Sequence, residues 1–404
     1  MDAEDVNDTG DSNDTGDHPD IKRRKLNNTK SKLIDRVKDL GLDATSYANA
    51  IERVHQVRDE KSQEWVDYLL KIPFHRYATT SVSRYSPKHK INKYFEHVVK
   101  TLDRAVYGMK SAKEEVLNYI AQFISTSESA GGSSGGGESY ASPRILGICG
   151  SPGIGKTALI RRGFAQALDR PIECISMGGV RDSHFFTGHE FTYIGSRHGI
   201  LVQSLMNMRV MNGIMFFDEV DKISNSNDGM DVQNMLIHIT DPVQNHTFTD
   251  KYFAGITIDL SKVIFVFSFN DEKGIHPILR DRIHIVNIPD PTEQEKVVIG
   301  EKYLLREIDT NLGLSPDQYS ISSDVIRTIV KQYCASQKGV RRLKQCLESI
   351  LMKINTAQYL PDKYQKYKCL RECKLPFTIT EAVVDELLKD MKPKEDKYLT
   401  SMYL

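Results

Sequence analysis

Residues Gly150 to Thr157 read GSPGIGKT, the pattern G-x-x-x-x-G-K-[ST], between an apolar run from Ile145 to Cys149 and the helix-like stretch ALIRRGFAQAL. A loop of this kind needs a strand to deliver it and a helix to finish it, because backbone N–H groups and the positive helix end converge on phosphate oxygens. That requirement commits the chain to an α/β fold built around a phosphate-binding loop. Gly150, Gly153 and Gly155 let the backbone take conformations that a side chain forbids, while Ser151, Pro152 and Ile154 complete the turn. Lys156 adds a positive charge at the β/γ-phosphates, and the Thr157 hydroxyl is suited to Mg²⁺. ATP and Mg²⁺ are the expected cofactors.

Two further strand-like runs end in polar residues suited to the same chemistry. Gly213 to Phe217 (GIMFF) runs into Asp218-Glu219-Val220-Asp221. At the carboxyl end of a strand, Asp218 can hold Mg²⁺ through water, and Glu219 can polarise an attacking water and accept its proton. Taken alone, such acids are more often solvated strand ends or helix caps, so the pair gains its meaning from the loop upstream. Val263 to Phe267 (VIFVF) leads to Ser268-Phe269-Asn270. Asn270 can orient water or sense the γ-phosphate; a local turn is its plainer role. Arg280 and Arg282 stand just ahead of another strand pattern, Ile283 to Ile288. In a monomer they are surface charges, whereas in a ring they can reach a neighbour's γ-phosphate as arginine fingers.

With Gly339-Val340-Arg341 downstream, this order of motifs resembles the AAA+ ATPase module, and the text between them resembles the Lon protease family. The resemblance rests on MGGVRDSHFFTGHEFTYIG (Met177 to Gly195), DPVQN (Asp241 to Asn245), DLSKV (Asp259 to Val263), EWVDYLLKIPFH (Glu64 to His75) and LDRAVYGMKSAKEEVLNYIAQFI (Leu102 to Ile124). It covers roughly residues 60 to 390. It implies a parallel α/β sheet flanked by helices, with a small α-rich lid domain and a short helical N-terminal region. Carried over by position, it makes Arg282 the first choice for the arginine finger and Arg280 the reserve. Arg341 matches the sensor-2 arginine, and Tyr107 and Gly108 match the tyrosine-glycine step near adenine. Tyr193 and Ile194 match the aromatic-aliphatic pair that projects into the ring pore. Gly188 to Phe191 and Ser196 to Gly199 depart from the family's usual residues in that segment. Lon carries a serine-lysine peptidase after the ATPase module, and no peptidase-length segment follows the lid-like region before Leu404. The expectation is an ATPase without protease activity of its own.

The chain divides by composition. Residues 1–30 read as a disordered acidic tail ending in a basic cluster: the first twenty hold eight acids and no Lys or Arg, with NDTGD at Asn7 and again at Asn13. The helical N-terminal region is expected at 31–100 and the ATPase core at 101–290, interrupted at 126–142 by a GGSSGGG-bearing flexible insertion. An α-rich lid is expected at 291–392, starting with a Thr292-x-x-Glu295 capping box, and 393–404 is a tail. The 54 basic and 54 acidic residues of the 404 cancel, which argues against a general nucleic-acid binder. No run approaches the length of a membrane span. Six scattered cysteines indicate reduced thiols, with Cys149 and Cys174 in apolar contexts typical of burial, and no zinc site. The expected partners are copies of the same chain in a ring, six by resemblance, and a polypeptide threaded through it. A separately encoded peptidase, an adaptor, or a nucleotide-switched scaffold acting on nucleic acid are the alternatives. The expected location is intracellular and cytoplasmic, with Lys22 to Lys25 (KRRK) as a nuclear import alternative.

Overall fold

In the computed structural model, β1 (Ile145–Cys149), β3 (Ile214–Asp218), β6 (Ile264–Phe269) and β7 (Ile283–Asn287) follow the four apolar runs of the ATPase core, and β2 (Ile172–Ser176), β4 (Phe248–Thr249) and β5 (Thr257–Ile258) are added to them. β4 and β5 pair as a short antiparallel hairpin, while the other five form one parallel sheet in the order β2-β3-β6-β1-β7. The residues described are 30–57, 59–126, 144–193, 195–224, 226–371 and 375–392. The acidic tail with Lys22 to Lys25, almost all of the Gly/Ser insertion, Ile194 and residues 393–404 lie outside them.

The three inner strands are continuously apolar because both of their faces are covered. Successive residues then serve different cores. Ile214, Phe216, Ile264, Val266, Leu146 and Ile148 join one cluster with the helices Lys88–Ala105 and Lys110–Thr126 and the helical stretch 156–168 that follows the loop. Met215, Phe217, Phe265 and Phe267 join the other. That second cluster also takes in Trp65, Val66 and Leu69 of the helix Glu60–Leu69 and Ala50 and Val54 of the helix Ala44–His55. The N-terminal helices are thus part of the cover of the sheet. Asn49 donates from its amide to the Gly255 carbonyl at 2.9 Å and the Thr257 N–H donates to Ser46 Oγ at 2.9 Å, which fastens the first of them to the β4-β5 hairpin. Cys174 departs from its expected burial: β2 is an edge strand, and its thiol is exposed.

Residues from Val297 to Leu388 make a third, separate core of helices with the small parallel pair Tyr319–Ile321 and Phe377–Ile379. The capping box is formed, with the Thr292 N–H donating to Glu295 Oε2 at 2.9 Å and the Glu295 N–H to Thr292 Oγ1 at 3.3 Å. No helix among the described residues is long and apolar enough to cross a membrane.

A single buried carboxylate ties the hairpin to the segment carrying Tyr193. Asp250 is wholly buried; its Oδ2 accepts from the Gly199 N–H at 2.7 Å and its Oδ1 from the Tyr252 N–H at 2.8 Å. The Lys251 N–H reaches the Thr187 carbonyl at 2.7 Å, and the His189 N–H that of Arg197 at 3.0 Å. Burial pushes the Asp250 carboxyl up to about 7, against backbone donors that favour the anion. An unfolded Asp titrates near 4, so between about pH 4 and 7 the folded chain holds the extra proton. The stability this group contributes is present below that window and is lost as pH rises through about 7. Asp250→Asn turns an amide NH₂ toward a backbone donor and should lower stability at every pH. The gap in melting temperature between wild type and this variant should narrow as pH rises from 5 to 8, and a constant gap would show that Asp250 is ionised throughout.

Candidate functional site

Because β1, β3 and β6 are adjacent and parallel, their carboxyl ends bring the loop from Gly150, the acid pair at Asp218 and the residue Asn270 to one edge of the sheet. A cavity of about 1210 Å³ lies over this edge, lined on its far side by the α-rich domain. Lys156 is only 8% exposed. Its ammonium donates to the carbonyls of Gly150 and Ser151, at 2.5 and 3.3 Å, and to Asn270 Oδ1 at 2.7 Å. Burial pulls its pKa down, and the nearby carboxylates of Asp218 and Asp221 pull the other way. Asn270 in turn donates through Nδ2 to Asp221 Oδ2 at 3.3 Å.

The neighbouring carboxylate is held from two sides. The Thr157 hydroxyl donates to Asp218 Oδ2 at 3.2 Å, and the Ser268 hydroxyl donates to Asp218 Oδ1. Ser268 Oγ also accepts from the Glu219 N–H at 3.4 Å. Glu219 itself adopts a left-handed φ of 61°, which breaks the strand direction and leaves it lining the cavity. Among the described residues no three His, Cys, Asp or Glu side chains gather into a metal cage. The Thr157 hydroxyl and Asp218 carboxylate are a pair of hard oxygen donors, which fits a cation that takes its remaining ligands from phosphate and water.

The α-rich domain lies directly on the loop. The Val340 N–H donates to the Gly153 carbonyl at 3.0 Å. A Cβ at Gly339 would stand 2.3 Å from the Pro152 carbonyl oxygen, and one at Gly153, whose φ is +74°, would stand 2.8 Å from Arg341 Cβ. The seam therefore admits no side chain at either position. Arg341 opens the helix Arg341–Ala357 and lines the cavity from that side. Tyr107 lines it too, with its ring 6.3 Å from that of Tyr303, whose hydroxyl donates to the Asp103 carbonyl at 2.7 Å. Gly108 beside it has φ +65°. Eight basic side chains line the cavity against four acidic ones, a balance that favours a polyanion.

The other expected residues lie elsewhere. Arg282 is bound within its own chain, to Asp241 Oδ2 at 2.9 Å and the Ile237 carbonyl at 2.5 Å. Arg280 is exposed. Neither lines the cavity, and neither does Tyr193, which is 64% exposed on a turn. The sequence reading gave no role to Ser268, Asp221 or Tyr303. Ser268 and Asp221 have a signal, since each lies two residues from a strand-end residue already named, Asn270 and Glu219. Tyr303 had none, because only the packing of the two domains brings it to Tyr107.

Residues 146–289 match the family described as ATPase family associated with various cellular activities (AAA). A Lon protease homolog from Acanthamoeba polyphaga mimivirus is 33% identical over 303 residues, which is 74% of this chain and 28% of that protein. A Lon protease from Campylobacter concisus is 35% identical over 294 residues, 72% of this chain and 34% of that protein. The mitochondrial Lon protease homolog of Homo sapiens is 32% identical over 299 residues, 74% of this chain and 28% of that protein. The chain thus spans about a third of the length of these curated relatives. Residues 146–289 are thus an ATPase domain of the AAA family, set in a module similar to the one that Lon proteases carry.

Proposed function

We propose that the chain hydrolyses ATP with Mg²⁺ and uses the energy to pull on polypeptide as a ring of identical subunits, six by analogy. The observation that carries the ATPase part is the pair of joined networks, Lys156–Asn270–Asp221 and Thr157–Asp218–Ser268, facing Arg341 across one basic cavity. When bound, Mg²⁺ offsets the charge of the β- and γ-phosphates and ATP supplies the phosphoryl group that is transferred. Thr157 and Asp218 are the residues that would hold the ion. Lys156 and the N–H groups of Gly153 to Thr157 would bind the phosphates, and Tyr107 and Gly108 would border the adenine. Glu219 takes the proton of the attacking water, and Asn270 orients that water while Asp221 fixes the amide of Asn270.

Arg341 reads the γ-phosphate from the lid side, so that the seam at Gly153 and Gly339 converts nucleotide state into lid movement. Arg282 is the finger offered to a neighbouring subunit, and Asp241 orients it; Arg280 is the alternative. Tyr193 and Ile194 contact the polypeptide. Peptide-bond cleavage is not part of the proposed activity, and a separate peptidase or an adaptor is a compatible partner. A switched scaffold acting on nucleic acid is the competing reading.

Three outcomes test this. Glu219→Gln should reduce ATP turnover by roughly 10²–10⁴-fold, the usual weight of a general base, and leave ATP binding intact; normal turnover removes Glu219 from that role. Arg282→Ala should cut hydrolysis by about 10³-fold or more while the variant still binds nucleotide, and mixing it with Glu219→Gln subunits should restore some activity at boundaries that receive an intact arginine. The same loss from Arg280→Ala alone would move the finger there. With ATP and Mg²⁺, the wild-type chain should unfold a fluorescent protein bearing a disordered tail, and both Glu219→Gln and Tyr193→Ala should abolish this. Strong ATPase without unfolding, indifferent to Tyr193, would favour the scaffold reading.

A further inference from the structure

The segment from Gly188 to Gly199 is held at its base by Asp250, and its tip is held by a helix from a distant part of the sequence. Lys61, in the helix Glu60–Leu69, donates from Nζ to the Phe191 carbonyl at 2.5 Å and to the Tyr193 carbonyl at 2.7 Å. The same ammonium lies 4.7 Å from the centre of the Phe191 ring. Arg53, on the helix Ala44–His55, stands 5.0 Å from that ring and 6.0 Å from the ring of Trp65. The helix bearing Lys61 is itself fixed, since Trp65 Nε1 donates to the Tyr252 carbonyl at 2.8 Å and the Trp65 ring lies 5.4 Å from Phe253.

Within the turn, the Tyr193 N–H donates to the Glu190 carbonyl at 3.2 Å, and Ser196 donates from N–H to the Tyr193 carbonyl at 3.2 Å and from Oγ to the Phe191 carbonyl at 3.1 Å. The two carbonyls that Lys61 holds are therefore also acceptors of the turn's own bonds. An ammonium carries three donors and no acceptor, and charge-assisted bonds are the stronger kind. Placed between two carbonyls two residues apart, it sets their separation and so the curvature of the turn. The consequence is visible at Tyr193: its carbonyl faces inward to Lys61 while its side chain stays 64% exposed.

We propose that Lys61 is a positioning residue for Tyr193, holding the backbone of the turn so that the tyrosine is presented to a polypeptide. The helix ahead of the ATPase domain is then part of the substrate-engaging apparatus. This rests on the reading of Tyr193 as the polypeptide contact.

The test uses the full chain with Lys61→Met, which keeps the aliphatic stem and removes the donors, and Lys61→Arg, which keeps both charge and donors. Amide hydrogen exchange across residues 190–197 should accelerate about tenfold in the Met variant, in line with the loss of a local hydrogen-bond anchor. The KM for unfolding the tailed fluorescent protein should rise several-fold with kcat little changed, and Lys61→Arg should largely restore both. Should Lys61→Met fail to fold, Lys61→Gln is read in the same two measurements. Unchanged exchange in 190–197 overturns the proposal. Faster exchange with an unchanged KM, while Tyr193→Ala abolishes unfolding, also overturns it. If Tyr193→Ala unfolds the protein as wild type does, the reading of Tyr193 fails and Lys61 loses its presenting role, while the exchange result separately decides whether Lys61 holds the turn.

Discussion

A buried ammonium sets the terms for the site. Lys156 is withdrawn from water, and a buried charge is tolerated only when hydrogen-bonded and compensated. The carbonyls of Gly150 and Ser151 and the side-chain oxygen of Asn270 accept its hydrogen bonds, and the carboxylates of Asp218 and Asp221 supply opposite charge. Asn270 reaches Lys156 only because β6 lies beside β1, although more than a hundred residues separate them in the chain. Strand order is therefore not incidental to the chemistry. A different order would leave the lysine short of an acceptor and Asp221 without the amide it binds.

The same economy of contact governs the seam between the two domains. A Cβ at Gly339 would run into the backbone of Pro152 and Gly153, and one at Gly153 into Arg341, so the lid meets the loop through main chain and the Cβ of Arg341 rather than through the mobile ends of side chains. A main-chain seam has little capacity to absorb a shift of the loop by repacking. A shift of the loop is then passed to Arg341 and its helix, whose inner face is committed to the lid core by Leu343, Leu347 and Ile350.

How much of this could be read from the sequence follows from where each signal resides. The phosphate loop and the central strands were legible because local composition carries them: glycine spacing, runs of branched and aromatic residues, and acids at strand ends. β2 was not singled out, since its burial is partial and alternation is poor in an edge strand. The joined networks were half legible; Lys156 and Asn270 were chosen separately, and their direct bond required the sheet order. The exposure of Cys174 has the same origin, because an apolar neighbourhood in sequence does not reveal which strand ends up at the edge. The helices at 44–69 appeared as a region of their own, since nothing local in EWVDYLLKIPFH announces that Trp65 will donate to Tyr252, 187 residues away.

That last contact joins parts that the sequence keeps far apart. β3 carries Asp218 at its tip and, one residue earlier, Phe217, whose ring stacks on Phe267 at 5.2 Å and lies 6.2 Å from Phe186. Phe186 sits at the base of the Tyr193 segment, within the same cluster as Tyr252, Phe253 and Trp65. A packed path thus runs from the acid pair through β3 to the base of that segment, where Asp250 clamps it, and on to the helix whose Lys61 holds the tip. Packing of this density transmits displacement better than it dissipates it. Physical contiguity alone does not measure coupling, but it does decide the geometry available for it: any rearrangement at Asp218 and Glu219 that moves β3 must either carry the N-terminal helices with it or break the bonds of Lys61.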